Sequence, residues 1–259
     1  MAIRKLLLPL PGPVGADAAL EAALTVAQVW RAHLSVVHVR ADEQRAQAVR
    51  KAFDKVVAAR GVAIGSSVVG GPVTATFAWV TSREGDQVVY EARLSDLVVF
   101  PHPEAGEDAS SSDMLHAALF DSGRPVLIAP HDPPPSVGRR ICLGWNGTAE
   151  SSSALYVLTP WLRRAEAVRI LSADNYQRRG PAAADLADYL ALHRIAADWV
   201  PFPAIGGSVG AGLLAAAGEF GADLLAMGAY SHARWRQMIL GGVTRYVLAN
   251  AKLPVLMNR

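Results

Sequence analysis

The sequence predicts an α/β fold made of two tandem, doubly wound parallel-sheet domains. Short apolar runs alternate with segments of helical periodicity along the whole chain, which is typical of βαβ units. The alternation restarts after a proline-rich stretch, HDPPPSVG at 131–138. The two halves also repeat each other, since EARLSDLVVF and GRPVLIAP in the first correspond to EFGADLLAM and KLPVLMNR in the second. A tandem duplication explains these three observations.

The length agrees with this division. A chain of 259 residues is long for one domain and suits two domains of roughly 100–150 residues each. The proline-rich stretch lacks periodicity and is typical of a semi-rigid linker. We therefore expect the domains to span residues 1–132 and 139–259.

The N-terminal half opens with an apolar run that predicts a buried strand, followed by an alanine-rich segment with helical spacing. Continuous apolar runs indicate parallel strands that are covered on both faces. The predicted strands are residues 4–10, 33–39, 74–82, 96–100 and 125–129, and the predicted helices are residues 18–31, 42–60, 86–94 and 113–120.

The C-terminal half follows the same order of elements. Its helices show apolar residues at intervals of three and four. The predicted strands are residues 140–145, 167–172, 198–202, 223–227 and 254–257, and the predicted helices are residues 150–164, 182–194, 208–220 and 243–250.

Composition argues against several classes of function. With 25 Lys plus Arg against 23 Asp plus Glu, the chain has no excess of positive charge for nucleic-acid binding. Cys142 is the only cysteine, so an intrachain disulfide is impossible, and we expect a cytoplasmic protein. Pro9 and Pro11 interrupt the apolar N-terminal run, and prolines and glycines interrupt the longest uncharged stretch, 199–218. We therefore expect neither a leader peptide nor a membrane span.

A glycine-containing loop follows the predicted strand 223–227. Gly228 closes the strand, Ser231 follows, and Gly241 and Gly242 precede a predicted helix that begins with Val243 and Thr244. Glycines at the start of a helix allow backbone N–H groups to approach an anion closely. The alternative is that the two glycines only permit a tight turn and close helix packing.

A second candidate is Asn146, which follows the predicted strand 140–145 in the sequence GWNGT. Ligands of doubly wound sheets bind beyond the carboxyl ends of the strands, where this loop and the glycine loop both open. Asn146 has both a donor and an acceptor for a ligand. The alternative is a turn residue that caps the next helix.

GADLLAMG, the glycine-spaced loop, LGGVTRYVL and the closing PVL strand resemble the universal stress proteins in their tandem form. The resemblance implies a Rossmann-like fold of the adenine nucleotide alpha hydrolase-like type. In the nucleotide-binding branch it implies ATP or a related adenine nucleotide, with magnesium, on a Gly-x2-Gly-x9-Gly-Ser/Thr loop. This chain has Ser231 in place of the second glycine and Gly242 in place of the hydroxyl. The implied ligand residues are Asn146, Gly228, Ser231, Gly241, Gly242, Val243 and Thr244.

The sequence predicts neither a catalytic residue nor a metal ligand. His232 is adjacent to Ser231, and neighbouring residues rarely form a nucleophile and base pair. The remaining histidines lack metal-ligand spacing. The resemblance to the universal stress proteins implies a stress-response regulator or sensor that binds an adenine nucleotide, with weak ATP hydrolysis at most. The alternatives are an interaction or chaperone-like protein without a nucleotide and, with less support, an α/β transferase or hydrolase.

The two halves differ in the loop that would hold phosphate. The N-terminal counterpart, PHPEAGEDASSSD, starts with Pro101 and is rich in acidic residues, including Glu104 and Asp113. Proline removes backbone donors, and negative charge repels phosphate. We therefore expect one nucleotide per chain, in the C-terminal half. We also expect the apolar final strands 125–129 and 254–257 to pair the halves as an intrachain pseudo-dimer, with further homodimerisation left open.

Overall fold

The computed structural model of the chain describes residues 2–39, 42–67, 70–102, 113–173, 180–229 and 242–259. The chain divides into two compact units, Met1–Pro135 and Ser136–Arg259. Within each unit, every described pairing between named strands is parallel. Helices connect the strands, and the predicted α/β fold class is confirmed.

The N-terminal unit has strand order β3-β4-β2-β1-β5-β6. Its core consists of nearly continuous apolar strands, such as the leucines of the first strand, which are fully buried. The strands are β1 (Lys5–Pro9), β2 (His33–Val39), β3 (Ala63–Ile64), β4 (Thr74–Val80), β5 (Leu97–Phe100) and β6 (Val126–Ile128). The helices are α1 (Ala16–Trp30), α2 (Glu43–Ala59), α3 (Glu84–Ala92) and α4 (Asp113–Asp121).

The C-terminal unit has strand order β11-β10-β7-β8-β9. The first strand, β7, lies beside the fourth, β10, so the chain reverses its direction of travel across the sheet at this pair. The strands are β7 (Arg140–Gly144), β8 (Ala167–Ala173), β9 (Asp198–Phe202), β10 (Leu224–Gly228) and β11 (Val255–Asn258). The helices are α5 (Ala149–Leu162), α6 (Ala183–Leu192), α7 (Val209–Phe220) and α8 (Gly242–Asn250).

Two local features differ from the sequence prediction. Strand β3 was not predicted, because its two residues are exposed and too few to show a periodic pattern. Gly242, predicted to lie in a loop, is instead the first residue of α8. A glycine is tolerated at a helix start, where it lies outside the helix interior in which its entropic cost is greatest.

One aspartate in each unit fixes two neighbouring strands to each other at their amino ends, β1 to β5 in the N-terminal unit and β7 to β10 in the C-terminal unit. In the N-terminal unit, Asp96 accepts hydrogen bonds from the backbone N–H groups of Arg4 and Lys5, at 2.8 and 3.0 Å. Asp223 occupies the corresponding position in the C-terminal unit and accepts four hydrogen bonds. Its donors are the Ser136 hydroxyl and the backbone N–H groups of Gly138, Arg139 and Arg140, at distances from 2.6 to 3.1 Å.

Among the described residues, no helix is long and apolar enough to cross a lipid bilayer.

We predict that Asp223→Ala lowers the free energy of unfolding by about 3 kcal/mol, because it leaves several backbone donors without their charged acceptor. The matched control is Asp54→Ala, which removes an acidic partner of Arg50 on an exposed helix face and should cost less than about 1 kcal/mol. Urea unfolding followed by circular dichroism measures both changes. Equal stabilities of the two variants would contradict the anchoring role of Asp223.

Candidate functional site

The candidate site lies at the carboxyl ends of β7 and β10. These strands are hydrogen-bonded neighbours, and Gly144 is in register with Met227. From β7 the chain continues to β8 on one side, whereas β10 and β11 lie on the other. This arrangement is the topological switch point at which doubly wound sheets bind ligands.

The loop after β7 is fixed by contacts with the segment that precedes α6. Trp145 is buried, and its indole N–H donates to the carbonyl oxygen of Pro181 at 2.9 Å. Gly147 has a φ of +74° and packs so closely on Gly180 that a methyl group at Gly180 would overlap the Gly147 carbonyl. These two contacts join the loop after β7 to the segment that precedes α6.

Asn146 stabilises a turn at the start of α5. Its side-chain oxygen accepts hydrogen bonds from the backbone N–H and the hydroxyl of Thr148, at 3.3 and 2.9 Å. The helix cap is Thr148, whose hydroxyl oxygen accepts from the N–H of Ser151 at 3.4 Å. Asn146 thus has the turn role that was one of its two predicted roles, and it positions the cap without being the cap itself. Its amide nitrogen has no hydrogen-bond partner within the described residues.

Gly228 is the last residue of β10 and lies directly against the first turn of α5. A Cβ atom there would lie 2.6 Å from the carbonyl carbon of Glu150 and from the backbone nitrogen of Ser151. Close packing of strand and helix therefore requires glycine at this position, whether or not a ligand is bound.

Helix α8 presents its N-terminus to the same edge of the sheet. It connects β10 to the parallel strand β11, so it runs antiparallel to both and begins at their carboxyl ends. Gly242 is exposed, and a Cβ there would meet no atom of the described residues within 4 Å. Val243 is half-buried, whereas Thr244 is only 4% exposed.

Two predicted ligand residues, Ser231 and Gly241, lie outside the described residues. The other predicted ligand residues, Asn146, Gly228 and those in the first turn of α8, lie at one edge of the C-terminal sheet.

The contact between Gly147 and Gly180 was not predicted, because it joins residues far apart in sequence that have no local pattern in common.

The corresponding edge of the N-terminal unit has a different chemistry. Helix α4, the counterpart of α8, has Asp113 in its first turn, whereas α8 has no acidic residue there.

Two histidines meet at this edge of the N-terminal unit. His102 follows β5 and His131 follows β6, and the centroids of their rings lie 3.9 Å apart. Sequence spacing did not indicate this histidine pair, because the two residues follow different strands.

The cysteine near the C-terminal site is not positioned for chemistry. Cys142 is fully buried in β7, and burial raises the pKa of its thiol to about 12. It is therefore a neutral core side chain at physiological pH. Within the described ranges, no three His, Cys, Asp or Glu side chains are grouped so that they could share a metal ion.

We predict different effects on stability for two glycine substitutions at this edge. Gly228→Ala should lower the free energy of unfolding by about 1–3 kcal/mol, because the new methyl group overlaps the α5 backbone. Gly242→Ala should leave it unchanged or raise it by up to about 1 kcal/mol, because its space is open and alanine favours the helix. Thermal unfolding of both variants tests this. A Gly228→Ala variant as stable as the parent would contradict the packing role.

Comparison with known proteins agrees with this architecture. The sequence profile of the universal stress protein family matches residues 148–259. A universal stress protein from Archaeoglobus fulgidus DSM 4304 superposes with a TM-score of 0.72 at 16% identity, over 98% of each chain. A functionally unknown protein from Pseudomonas aeruginosa PAO1 superposes with a TM-score of 0.61 at 16% identity, over 99% of this chain and 92% of that chain. No curated protein matches the chain.

At these identities the structural likeness concerns the fold, whereas the profile match concerns the sequence itself. The profile match covers α5 to β11, including β10 and α8 at the candidate site, but it begins after β7 and Asn146. Residues 148–259 are therefore a domain of the universal stress protein family.

Proposed function

We propose that the chain is a stress-response regulatory protein whose C-terminal domain, residues 139–259, binds ATP or a related adenine nucleotide with magnesium. Residues 1–132 are a second copy of the domain in which this site has degenerated. The proposal rests on one observation above all: the N-terminus of α8 begins with an exposed glycine and opens at the switch point of the sheet.

The first turn of α8 has the properties of an anion site. The first N–H groups of a helix have no partner within it, and the helix dipole favours negative charge beside them. Gly242 leaves the approach open, and the first turn has no acidic residue. Arg234 and Arg236 lie in the segment that leads to α8 and add positive charge near it in sequence. The triphosphate of a nucleotide is the ligand group that suits this environment.

The opposite charge at α4 supports a single site per chain. Asp113 places a carboxylate in the first turn of that helix, where a phosphate would have to lie. Pro101, directly after β5, has no N–H group to donate. Both features disfavour phosphate at the N-terminal edge.

The affinity should be modest. Gly242 replaces the hydroxyl of the family pattern, and the buried Thr244 side chain is not presented to solvent. Losing one hydrogen bond to a charged group weakens binding by about 1.5–3 kcal/mol. We therefore expect a micromolar or weaker dissociation constant, which suits a regulatory ligand that exchanges with its cellular pool.

We predict that titration calorimetry with ATP and magnesium gives a stoichiometry near one, and that Gly242→Glu abolishes binding. The substitution places a carboxylate at the phosphate position while leaving the fold intact, because the space is open and an acidic residue suits a helix start.

The matched control is Gly218→Glu, which makes the same change of charge at an exposed glycine near the end of α7, at the opposite edge of the sheet. It should bind ATP as the parent does. Undiminished binding by Gly242→Glu would show that α8 does not hold the phosphates, and two sites per chain would contradict the single site.

A further inference from the structure

A groove with a volume of about 540 Å³ lies on the outer face of the N-terminal unit, between α2 and β4. Its volume is within the range of small-molecule sites. Phe77 and Trp79 of β4 form one wall, and the polar residues of α2, among them Gln47, Arg50 and Lys51, form the other. The groove is separate from the candidate nucleotide site, which belongs to the other unit.

The β4 wall is aromatic and accessible. Side chains alternate along a strand, so Phe77 and Trp79 lie on the same face. The Phe77 ring packs against Phe53 of α2, with centroids 5.6 Å apart. Trp79, at the end of the strand, is 45% exposed. A half-exposed indole beside a packed phenyl ring offers a flat surface on which another aromatic ring can stack.

The α2 wall carries one positive charge without an acidic partner. Arg50 donates from its Nε to both carboxylate oxygens of Asp54, at 2.9 Å each, and its guanidinium lies 5.4 Å from the centre of the Phe77 ring. Asp54 therefore offsets the charge of Arg50. Lys51 is exposed and has no ion-pair partner among the described residues. Its ammonium group is the charge that remains available to a ligand.

We propose that this groove binds a small aromatic carboxylate, with its ring stacked on Trp79 and its carboxylate next to Lys51. The aromatic wall selects a flat ring, and the ammonium group selects an anionic substituent. A site of this kind gives the N-terminal unit a ligand of its own, chemically distinct from the nucleotide proposed for the C-terminal unit.

The C-terminal unit supplies an internal control. Its strand β9, the counterpart of β4, carries Trp199, which is 47% exposed. The neighbouring helix α6 contains Asp185 and Asp188 but no lysine or arginine. Trp199 thus matches Trp79 in exposure without the positive charge beside it.

The test is a titration of the full-length chain with indole-3-acetate, followed by two-dimensional amide NMR. Indole-3-acetamide, which has the same ring without the charge, is the matched probe. We expect indole-3-acetate to shift amide signals of residues 46–54 and 77–79, with a dissociation constant of about 1 mM for a ligand of this size. The amide should bind about two- to fivefold more weakly.

Single variants test the contribution of each wall of the groove to binding. Trp79→Ala should weaken binding about tenfold, and Trp199→Ala should leave it unchanged. Lys51→Gln should weaken the acid about two- to fivefold and remove its advantage over the amide. The Lys51→Gln comparison does not depend on whether Trp79→Ala folds, because Lys51 is an exposed surface residue.

Three results would overturn the proposal: no shifts at these residues up to about 10 mM ligand, equal binding of the acid and the amide, or an undiminished preference for the acid in Lys51→Gln.

Discussion

In each unit of this protein, an aspartate at the amino end of a central strand, β5 or β10, fixes that strand to the first strand of the unit. Asp96 and Asp223 each accept backbone N–H groups from the start of the neighbouring first strand. Charged hydrogen bonds of this kind are stronger than those between neutral groups. They hold β1 beside β5 and β7 beside β10. The carboxyl ends of each pair form the switch point of the sheet in that unit. The candidate site at the carboxyl ends of β7 and β10 therefore depends on the aspartate at their amino ends.

Both units have an aspartate anchor, but they differ in the residues at the edges of their sheets. In the C-terminal unit, α8 begins with an exposed glycine and no acidic residue in its first turn, whereas α4 begins with Asp113. In the N-terminal unit, α2 places Lys51 and Arg50 beside the half-buried Phe77 and the exposed Trp79. The corresponding helix α6 carries only acidic charges. The anchors depend on hydrogen bonds to the backbone. The ligands that we propose for the two units depend instead on the charge of a few surface residues.

Local sequence patterns are sufficient to predict the main strands and helices of the fold. Strands β2 and β9 have the predicted bounds, because each is a compact β-forming run between helical segments. Strand β3 and the contact between Gly147 and Gly180 depend on neighbours distant in sequence, and no local signal marks them.

The candidate site is harder to predict from the sequence than the fold is. A residue that suits ligand binding can equally be required for packing or for a turn. Gly228 fits a ligand loop, and it is also required by its contact with Glu150. Asn146 has hydrogen-bonding groups suited to a ligand, yet its oxygen is engaged with Thr148. The exposed start of α8 is the predicted feature for which the described residues give no packing reason. Ser231 and Gly241 stay predictions.

Hydrogen exchange of the full chain with and without ATP and magnesium, read by mass spectrometry at single-peptide resolution, tests the central claim most directly. Bound phosphate should protect the amides at the start of α8, residues 242–245, because it accepts their hydrogen bonds. Exchange at the start of α4, residues 113–116, should not change. Protection at α4, or no protection at α8 under saturating nucleotide, would contradict the account.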